Sequence, residues 1–275
     1  MVAENLFNFT ETPELCFRVV LTNSCNNDCI YCFKEAEVGS NTGNFTSAFF
    51  DELIRVAEKC GINKIHFTGG EPLLDKNIVK YIKQIKNTSN LDIGLTTNGT
   101  LLNLYGRDLH EAGLRRINVS VPTLNSLKYQ FICKNRDIKQ VLENIDELIS
   151  LGYCPIKINV PIFKQNINEV NDFLIYFLKK KNIVLRFFSL LPNPGVEEKN
   201  CLSDDEVTKT LNQKIALLPQ KLRQEAIQRV FYRCASHTYR KMCKECSWKS
   251  KCQDQAKAIR ITKDGKFSLC LYNPR

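Results

Sequence analysis

The sequence predicts an α/β protein in which parallel strands alternate with helices. Short apolar runs rich in β-branched residues recur along the chain, and segments with apolar spacing near 3.6 separate them. The 275 residues, 43% of them hydrophobic, are enough to bury one sizeable core. This alternation implies a sheet joined by right-handed crossovers, either an open doubly wound sheet or a partial barrel.

Six strands account for this alternation. They are predicted at residues 16–22, 64–68, 92–97, 117–121, 156–162 and 184–190. Helical patterns are clearest at residues 46–60 and 138–151, the latter reading IKQVLENIDELISL. The strands therefore follow one another with room for a helix between them.

The pattern changes after Pro192. The segment LPNPGVEEKN has the composition of a loop, and residues 203–233 are predicted to be helical, with Ser203 as the cap before an acidic first turn. From Cys234 onward the chain is rich in cysteine and basic residues. We therefore divide it into a catalytic α/β domain, residues 1–195, and a small C-terminal region, residues 196–275.

Composition excludes several classes of protein. No apolar run approaches the roughly 20 residues that cross a bilayer, and the first residues, MVAENLFNFTETPEL, lack the pattern of a signal peptide. The count of 13 cysteines is odd, and without a signal peptide metal binding is favoured over a disulfide framework. A cytoplasmic protein without membrane contact is expected.

Three cysteines directly follow the first predicted strand. Cys25, Cys29 and Cys32 have the spacing C-x3-C-x2-C, with no fourth cysteine nearby. Zinc sites and [4Fe–4S] clusters usually have four ligands, so three thiolates would leave one iron of a cluster open to a small molecule. The alternative is a structural zinc site completed by a distant Cys or His.

The segment Gly69-Gly70-Glu71-Pro72 follows the second predicted strand. Glycines let the backbone approach a ligand closely, and carbonyls with a carboxylate suit an ammonium group, although the segment taken alone could be a simple turn. With Tyr31 before the last cysteine of the first cluster, this combination resembles the radical S-adenosylmethionine (SAM) enzymes.

The resemblance implies a fold and a chemistry. The fold is a partial (β/α)6 TIM-type barrel with a small C-terminal Cys-rich iron–sulfur region. The three cysteines would hold a [4Fe–4S] cluster, and the Gly-Gly-Glu-Pro segment would receive the amino group of SAM. An electron from the cluster would cleave SAM to a 5′-deoxyadenosyl radical, which would abstract hydrogen from the substrate.

Within that superfamily the chain most resembles the GTP 3′,8-cyclase family, through stretches such as FTGGEPLL, TTNGTLL, AGLRRINVSV and IRITKDGKFSLCLY. By position, the resemblance assigns Tyr31, Gly69, Gly70, Glu71, Pro72, Ser120 and Leu191 to SAM, and Arg18, His66, Thr96, Lys157 and Arg260 to the substrate. Each substrate residue has a simpler explanation, such as a solvated or strand-ending side chain.

The chain also departs from that family. His66 stands where the cyclases have a basic residue, Ala258 replaces the first arginine of an R-x-R pair, and Pro122 replaces an aspartate. The usual double-glycine tail is missing after Tyr272. Loss of an arginine removes a charge-assisted and often bidentate phosphate contact, so a substrate other than GTP is expected.

A second group of cysteines lies near the C-terminus. Its members are predicted to be metal ligands, and they are Cys243, Cys246, Cys252 and Cys270. The segment KDGKF predicts a hairpin that turns Cys270 back toward the others. The region is similar to the twitch form of the SPASM domain, which implies a second [4Fe–4S] cluster, with Cys234 as a spare or alternate ligand. A zinc ribbon with four cysteine ligands is the alternative.

The favoured function is a radical SAM enzyme that acts on a small-molecule or nucleotide-derived substrate, with a second cluster assisting. One alternative is a radical SAM peptide maturase that crosslinks or epimerises a ribosomal peptide. Another is a zinc-containing nucleic-acid-binding protein, suggested by the basic segment RKMCKECSWKSKC. A net charge of +10 suits an acidic electron donor such as flavodoxin or ferredoxin, whereas nucleic acid is not favoured as a partner.

Overall fold

One twisted sheet organises the part of the chain that the structure describes. The computed structural model describes residue 6 and residues 8–9, 15–32, 45–134, 138–190, 197–233 and 258–268. Within these residues the strands form a single ten-stranded sheet. The strands are β1 (Asn8–Phe9), β2 (Cys16–Val20), β3 (Lys64–Thr68), β4 (Asp92–Thr97), β5 (Arg116–Ser120), β6 (Ile156–Ile162), β7 (Ile183–Ser189), β8 (Val230–Arg233), β9 (Ala258–Ile261) and β10 (Phe267–Ser268).

Helices connect most of the parallel strands, as the sequence pattern predicts. They are α1 (Ser47–Lys59), α2 (Ile78–Thr88), α3 (Leu102–Glu111), α4 (Ser126–Cys133), α5 (Ile138–Ser150), α6 (Val170–Leu178), α7 (Asp204–Ala216) and α8 (Gln220–Arg229). Among the described residues no helix has both the length and the apolar character that a bilayer crossing requires.

The strand order is that of a wound parallel sheet. It runs β1-β8-β7-β6-β5-β4-β3-β2-β9-β10, and every neighbouring pair is parallel except the β9–β10 hairpin. Because β2 to β7 lie side by side in chain order, their carboxyl ends meet at one edge. The six predicted strands are confirmed, three of them with the predicted bounds, and the partial barrel is the form that the sheet takes.

Residues 203–233 differ from the prediction of continuous helix. The capping box of Ser203 and Glu206 begins α7 as expected, but the helix ends before Leu217, and α8 starts after Pro219. Residues 230–233 form strand β8, which pairs with β7 and β1. The reason lies in the tertiary structure. The edge of β7 supplies backbone hydrogen bonds to residues VFYR, and this pairing outweighs their local preference for a helix.

The two faces of the strands have different chemistry. On one face Val19, Phe67, Leu95 and Val119 are completely buried and form part of the apolar core with the helices. The ring of Phe50 in α1, for example, meets Phe67 edge-on with 6.0 Å between centroids. The alternate positions carry polar and basic side chains, so the opposite, inward face of the sheet is left for function.

A hairpin extends the sheet beyond the first strand. The predicted turn in KDGKF is confirmed, with Gly265 at φ 79° between β9 and β10. Strand β9 pairs in parallel with β2, which aligns Arg260 with Arg18. Residues from the C-terminal region therefore reach the inward face of the barrel.

Asn166 ties together the chain at the carboxyl ends of β5 and β6. It is completely buried, and its side-chain oxygen accepts from the backbone N–H of Phe163 at 2.9 Å. Its side-chain nitrogen donates to the carbonyls of Pro122 and Pro161 at 2.7 and 2.6 Å. One amide thus satisfies three backbone groups at the edge that bears the site.

Replacing Asn166 with alanine is expected to lower the free energy of unfolding by about 3 kcal/mol, because three buried backbone groups lose their partner. Urea unfolding followed by circular dichroism measures the change. The matched control is Asn77→Ala, since Asn77 is exposed and its side chain makes no capping bond. If both substitutions lowered the free energy of unfolding equally, the three buried hydrogen bonds of Asn166 would not be its source of stability.

Candidate active site

The cysteine motif lies on the segment that follows β2, at the carboxyl edge of the sheet. This segment is held by backbone hydrogen bonds from Asp28 N to Cys133 O at 3.1 Å and from Ile30 N to Ile132 O at 2.9 Å. The N–H of Cys32 also donates to the carbonyl of Cys29 at 3.0 Å. The end of α4 therefore fixes the path of the cysteine segment.

None of the three thiols of the motif is in a disulfide. Cys25 and Cys32 are exposed, and Cys29 is half-buried. Although the residue as a whole is exposed, partial desolvation of its sulfur raises the pKa of Cys25 to about 11, and the charges of Glu71, Cys29 and Cys32 add to the shift. Within the described residues no three Cys, His, Asp or Glu side chains could hold a single metal ion.

Gly69 and Gly70 pack against the backbone of the cysteine segment. Gly70 N donates to Thr22 O, and Glu71 N donates to Ser24 O, both at 2.8 Å. A Cβ on Gly69 would lie 2.6 Å from Thr22 O, and one on Gly70 would lie 2.2 Å from Ser24 O. Only glycine permits this approach, so the two segments form one unit.

This glycine pair leaves two carbonyls available to a ligand. Within the described part of the chain, no hydrogen bond reaches the carbonyl oxygen of Gly69 or of Gly70. Both residues are half-exposed at the carboxyl edge, beside the cysteine segment. Two carbonyl acceptors at this place suit the ammonium group of an amino acid.

Glu71 has a structural task. It is completely buried, and its carboxylate accepts from the hydroxyl of Thr97 at 2.7 Å and from the backbone N–H groups of Leu73 at 3.1 Å and Asn98 at 2.7 Å. The side chain therefore braces the loop after β4 and caps the short turn that begins at Pro72. Because the carboxylate of Glu71 is buried and already hydrogen-bonded, the carbonyls of Gly69 and Gly70 are the better candidates to contact SAM.

Burial raises the pKa of Glu71 from 4.5 to about 7. The folded state then binds this proton more tightly than the unfolded state does, so stability falls as the pH rises from about 4.5 to about 7. At about 1.4 kcal/mol per pKa unit the loss is about 3 kcal/mol. Urea unfolding of the iron-free protein at pH 5 and pH 8 should show this loss, and Glu71→Gln should flatten it. Parallel pH profiles for the two proteins would contradict the prediction.

Residues after β4 extend the site. The side-chain nitrogen of Asn98 donates to the side-chain oxygen of Asn26 at 2.7 Å, and that of Asn26 donates to the hydroxyl of Thr100 at 2.8 Å. Asn98 also lies 4.0 Å from the sulfur of Cys25. These residues are not predicted from the sequence, although the Asn-Gly-Thr run after a predicted strand is a usable signal.

The inward face contains a small polar group around Thr96. The ring nitrogen Nε2 of His66 lies 2.7 Å from the hydroxyl of Thr96, and Asn118 donates to the same hydroxyl at 3.2 Å. A Cβ on Gly94 would lie 2.4 Å from the ring of His66, so glycine makes room for the imidazole. Burial, followed by the charges of Arg18, Lys64, Arg186 and Arg116, holds the pKa of His66 well below its usual value.

Basic side chains dominate the same face. Residues at alternate positions of the described strands include Arg18, Lys64, Arg116, Lys157, Arg186 and Arg260. Asp92 adds a negative charge on this face. Its carboxylate forms a salt bridge with Arg116 and lies 4.0 Å from the ammonium group of Lys64. The excess of positive charge favours an anionic ligand inside the barrel.

Ser120 and Asn159 lie nearer the carboxyl edge on this face, next to each other in the register of β5 and β6. Ser120 is half-buried at the end of its strand. The side-chain oxygen of Asn159 is buried without a hydrogen-bond partner among the described residues. A buried acceptor without a partner lowers stability unless a ligand supplies a donor, and nothing in the sequence marks Asn159 as such a position.

The other predicted site residues divide into two groups. Tyr31 lies in the cysteine segment with its ring 6.5 Å from that of Phe163. Five predicted residues fall outside the described part of the chain, and these are Leu191, Cys243, Cys246, Cys252 and Cys270. Cys234 lies outside it as well.

The donor set of the first motif fits a [4Fe–4S] cluster. Each thiolate of such a cluster binds a different iron, so its ligands surround a cube instead of converging on one ion. Three thiols outside any disulfide, at the carboxyl edge of the strands, are available as such ligands. The two unused glycine carbonyls beside them fit the amino group of a cofactor bound at the open iron.

Comparison with known families agrees with this geometry. The sequence profile of the radical SAM superfamily matches residues 19–176, which is more than half of the chain. The chain belongs to the radical SAM superfamily. A radical SAM protein uses a [4Fe–4S] cluster and SAM, so both cofactors are implied for this enzyme.

Several relatives of this radical SAM enzyme are named as GTP 3′,8-cyclases or probable GTP 3′,8-cyclases. It is 32% identical over 272 residues to the GTP 3′,8-cyclase of Alkaliphilus metalliredigens, covering 93% of this chain and 80% of that protein. It is 38% identical over 195 residues to a probable GTP 3′,8-cyclase of Methanothermobacter thermautotrophicus, covering 69% of this chain and 63% of that protein. The enzyme is thus related to the GTP 3′,8-cyclases, as predicted.

Solved structures share its fold at lower identity. Streptococcus suis SuiB bound to the precursor peptide SuiA has a TM-score of 0.71 at 14% identity, and the match covers 94% of this chain but only 60% of SuiB. The enzyme anSMEcpe, with bound AdoMet and a peptide, has a TM-score of 0.66 at 18% identity, covering 94% of this chain and 74% of that one. These likenesses establish the partial barrel.

Proposed function

We propose that this radical SAM enzyme cleaves SAM at a cluster held by Cys25, Cys29 and Cys32 and abstracts hydrogen from an anionic, nucleotide-derived small molecule. The observation that supports this proposal is the geometry of the carboxyl edge, where the cysteine segment adjoins the unused carbonyls of Gly69 and Gly70 next to a basic barrel interior. A cluster bound there supplies the electron that breaks the sulfonium bond of SAM.

The residues of the chain divide the remaining tasks. The carbonyls of Gly69 and Gly70 accept hydrogen bonds from the amino group of SAM and orient it beside the cysteines. Because Gly70 packs closely against Ser24, the position of these carbonyls is fixed relative to the cysteine segment. Glu71 holds the neighbouring loop through Thr97 and Asn98, so the site is rigid before SAM arrives.

The inward basic face supports the anionic substrate. Six basic positions on the described strands raise the local concentration of an anion and favour phosphate or carboxylate groups. The relatives are named for GTP, which is such a molecule. The lowered pKa of His66 keeps its ring neutral, however. The inward face therefore offers a hydrogen bond at this position, where a positively charged side chain would bind phosphate more strongly.

Two further parts of the proposal rest on the sequence. Cys243, Cys246, Cys252 and Cys270 hold a second [4Fe–4S] cluster in the C-terminal region. An acidic donor such as flavodoxin or ferredoxin supplies electrons, drawn by the net charge of +10. The enzyme works in a reducing, cytoplasmic compartment, in keeping with the lack of disulfides among the eight described cysteines.

Anaerobic reconstitution tests this function directly. Iron and sulfide are counted, and 5′-deoxyadenosine is measured after addition of SAM and dithionite, with and without a nucleotide. Two [4Fe–4S] clusters give about eight irons, and Cys246→Ala should remove about four while SAM cleavage persists. GTP is compared with other nucleoside phosphates, and transfer of deuterium from labelled substrate into 5′-deoxyadenosine identifies the true one.

The outcomes separate the parts of the proposal. Zinc in place of iron, or no 5′-deoxyadenosine, would overturn SAM cleavage at this site. About four irons in the unsubstituted protein would overturn the second cluster alone. Stimulation of cleavage by peptides and not by any anionic small molecule would replace the proposed substrate with that of a peptide maturase.

A further inference from the structure

The side chain of Asn98 joins the loop after β4 to the cysteine segment. Its nitrogen Nδ2 donates to Oδ1 of Asn26 at 2.7 Å, and Asn26 directly follows Cys25 in the chain. Its oxygen Oδ1 accepts from the hydroxyl of Thr100 at 2.7 Å, and that hydroxyl accepts from Nδ2 of Asn26 at 2.8 Å. The three side chains therefore close a ring of hydrogen bonds beside Cys25.

The backbone that carries this side chain is fixed on both sides. The N–H of Asn98 donates to the buried carboxylate of Glu71 at 2.7 Å. The carbonyl of Gly99 accepts from the side-chain nitrogen of Asn144, a buried residue, at 2.8 Å. Gly99 has φ 82°, which glycine adopts without steric strain. The amide of Asn98 is therefore held in place by groups that need no cofactor.

The same amide lies next to a predicted cluster ligand. Nδ2 of Asn98 is 4.0 Å from the sulfur of Cys25, and the backbone N–H of Asn27 donates to that sulfur at 3.4 Å. A side-chain amide has two N–H groups, so one can donate to Asn26 while the other points toward the sulfur. The backbone N–H stays in every variant, whereas the N–H of Asn98 can be removed by substitution.

Donors beside a cluster sulfur affect the reduction of the cluster. Hydrogen bonds to the sulfurs stabilise its more negative, reduced form and raise its reduction potential. We propose that Asn98 is a positioning residue whose amide holds Asn26 and directs an N–H at the sulfur of Cys25, so that the cluster of the first motif is easier to reduce. This inference rests on the proposed binding of that cluster by Cys25, Cys29 and Cys32.

Redox titration of the reconstituted enzyme tests the inference in the variants Asn98→Asp and Asn98→Ala. The midpoint potential is taken from the electron paramagnetic resonance signal that changes when SAM is added, which separates this cluster from a second one. Aspartate keeps the shape and the acceptor for Thr100 but replaces the N–H donors with an anionic oxygen. Alanine removes the donors without adding charge. Asn103→Asp is the matched control, because Asn103 is exposed on α3 and gains the same charge.

Asn98→Asp should lower the ratio of reduced to oxidised cluster at a fixed potential by about tenfold, which is about 59 mV for a one-electron couple. Asn98→Ala should lower it by about threefold, because water reaches the exposed residue Cys25 and replaces part of the lost donor. Asn103→Asp should stay within about twofold of the unsubstituted enzyme, because solvent and salt screen an exposed charge.

The other outcomes contradict the inference. An unchanged potential in both Asn98 variants would overturn it, and so would equal shifts in Asn98→Asp and Asn103→Asp. Loss of the cluster from both Asn98 variants would also overturn it, because the role of the side chain would then be structural only. If the unsubstituted enzyme shows no SAM-dependent signal, the proposed function itself fails.

Discussion

Replacing Cys32 with alanine is expected to abolish reductive cleavage of SAM. Two remaining thiolates cannot hold a [4Fe–4S] cluster in the geometry that three provide, and without the cluster no electron reaches the sulfonium. We expect production of 5′-deoxyadenosine to fall by at least about a thousandfold, which corresponds to about 4 kcal/mol in activation free energy. Chromatography of anaerobic reactions containing dithionite measures the product.

The control for this loss is a cysteine of similar exposure outside the motif. Cys60 is exposed and lies at the end of α1, away from the cysteine segment, so Cys60→Ala should retain its iron and its activity. Cys32→Ala should show lower iron content with an unchanged circular dichroism spectrum. SAM cleavage above a tenth of the normal rate in Cys32→Ala would show that this thiol is not a required ligand.

Replacing Gly70 with alanine is expected to damage the site through the backbone. The added Cβ would lie 2.2 Å from the carbonyl of Ser24 and 2.9 Å from that of Asn23. Both atoms belong to the main chain, so relief requires the cysteine segment to move. Since misplacement of reacting groups by about 1 Å can cost about a hundredfold in rate, we expect a loss of that size in SAM cleavage.

Gly61→Ala separates this clash from ordinary glycine strain. Gly61 has φ 65°, and an added Cβ there meets nothing within 4 Å, so alanine should cost about 1 kcal/mol of stability without loss of iron. Iron content, 5′-deoxyadenosine and the urea midpoint are measured for both variants. Full activity of Gly70→Ala would show that its contact with Ser24 does not position the cysteines.

Much of the fold could be predicted because the strands are locally consistent. Runs such as KIHFT and DIGLTT combine β-branched and apolar residues between clear helical patterns, and both form strands with the predicted bounds. Strand β8 could not be predicted in this way. Its residues continue a helical pattern, and only the edges of β7 and β1 make them a strand.

The candidate site likewise contains residues that the sequence predicts and residues that only the structure reveals. The cysteine motif and Gly-Gly-Glu-Pro were recognisable because their chemistry depends on spacing along the chain. Asn26, Asn98 and Asn159 were missed, since common polar residues gain significance only from the neighbours that folding supplies. Glu71 belonged to the motif, but its burial and its bonds to Thr97 and Asn98 came from the structure.

The sequence by itself determined the superfamily, the α/β class and the residues that can donate sulfur to iron, because these depend on local pattern and on motif spacing. The tertiary structure decided which groups meet. It aligned Arg260 with Arg18 across β9 and β2, enclosed His66 among cations and joined the end of α4 to the cysteine segment. Such contacts join residues far apart in the chain, so only the packing of the sheet and its helices creates them.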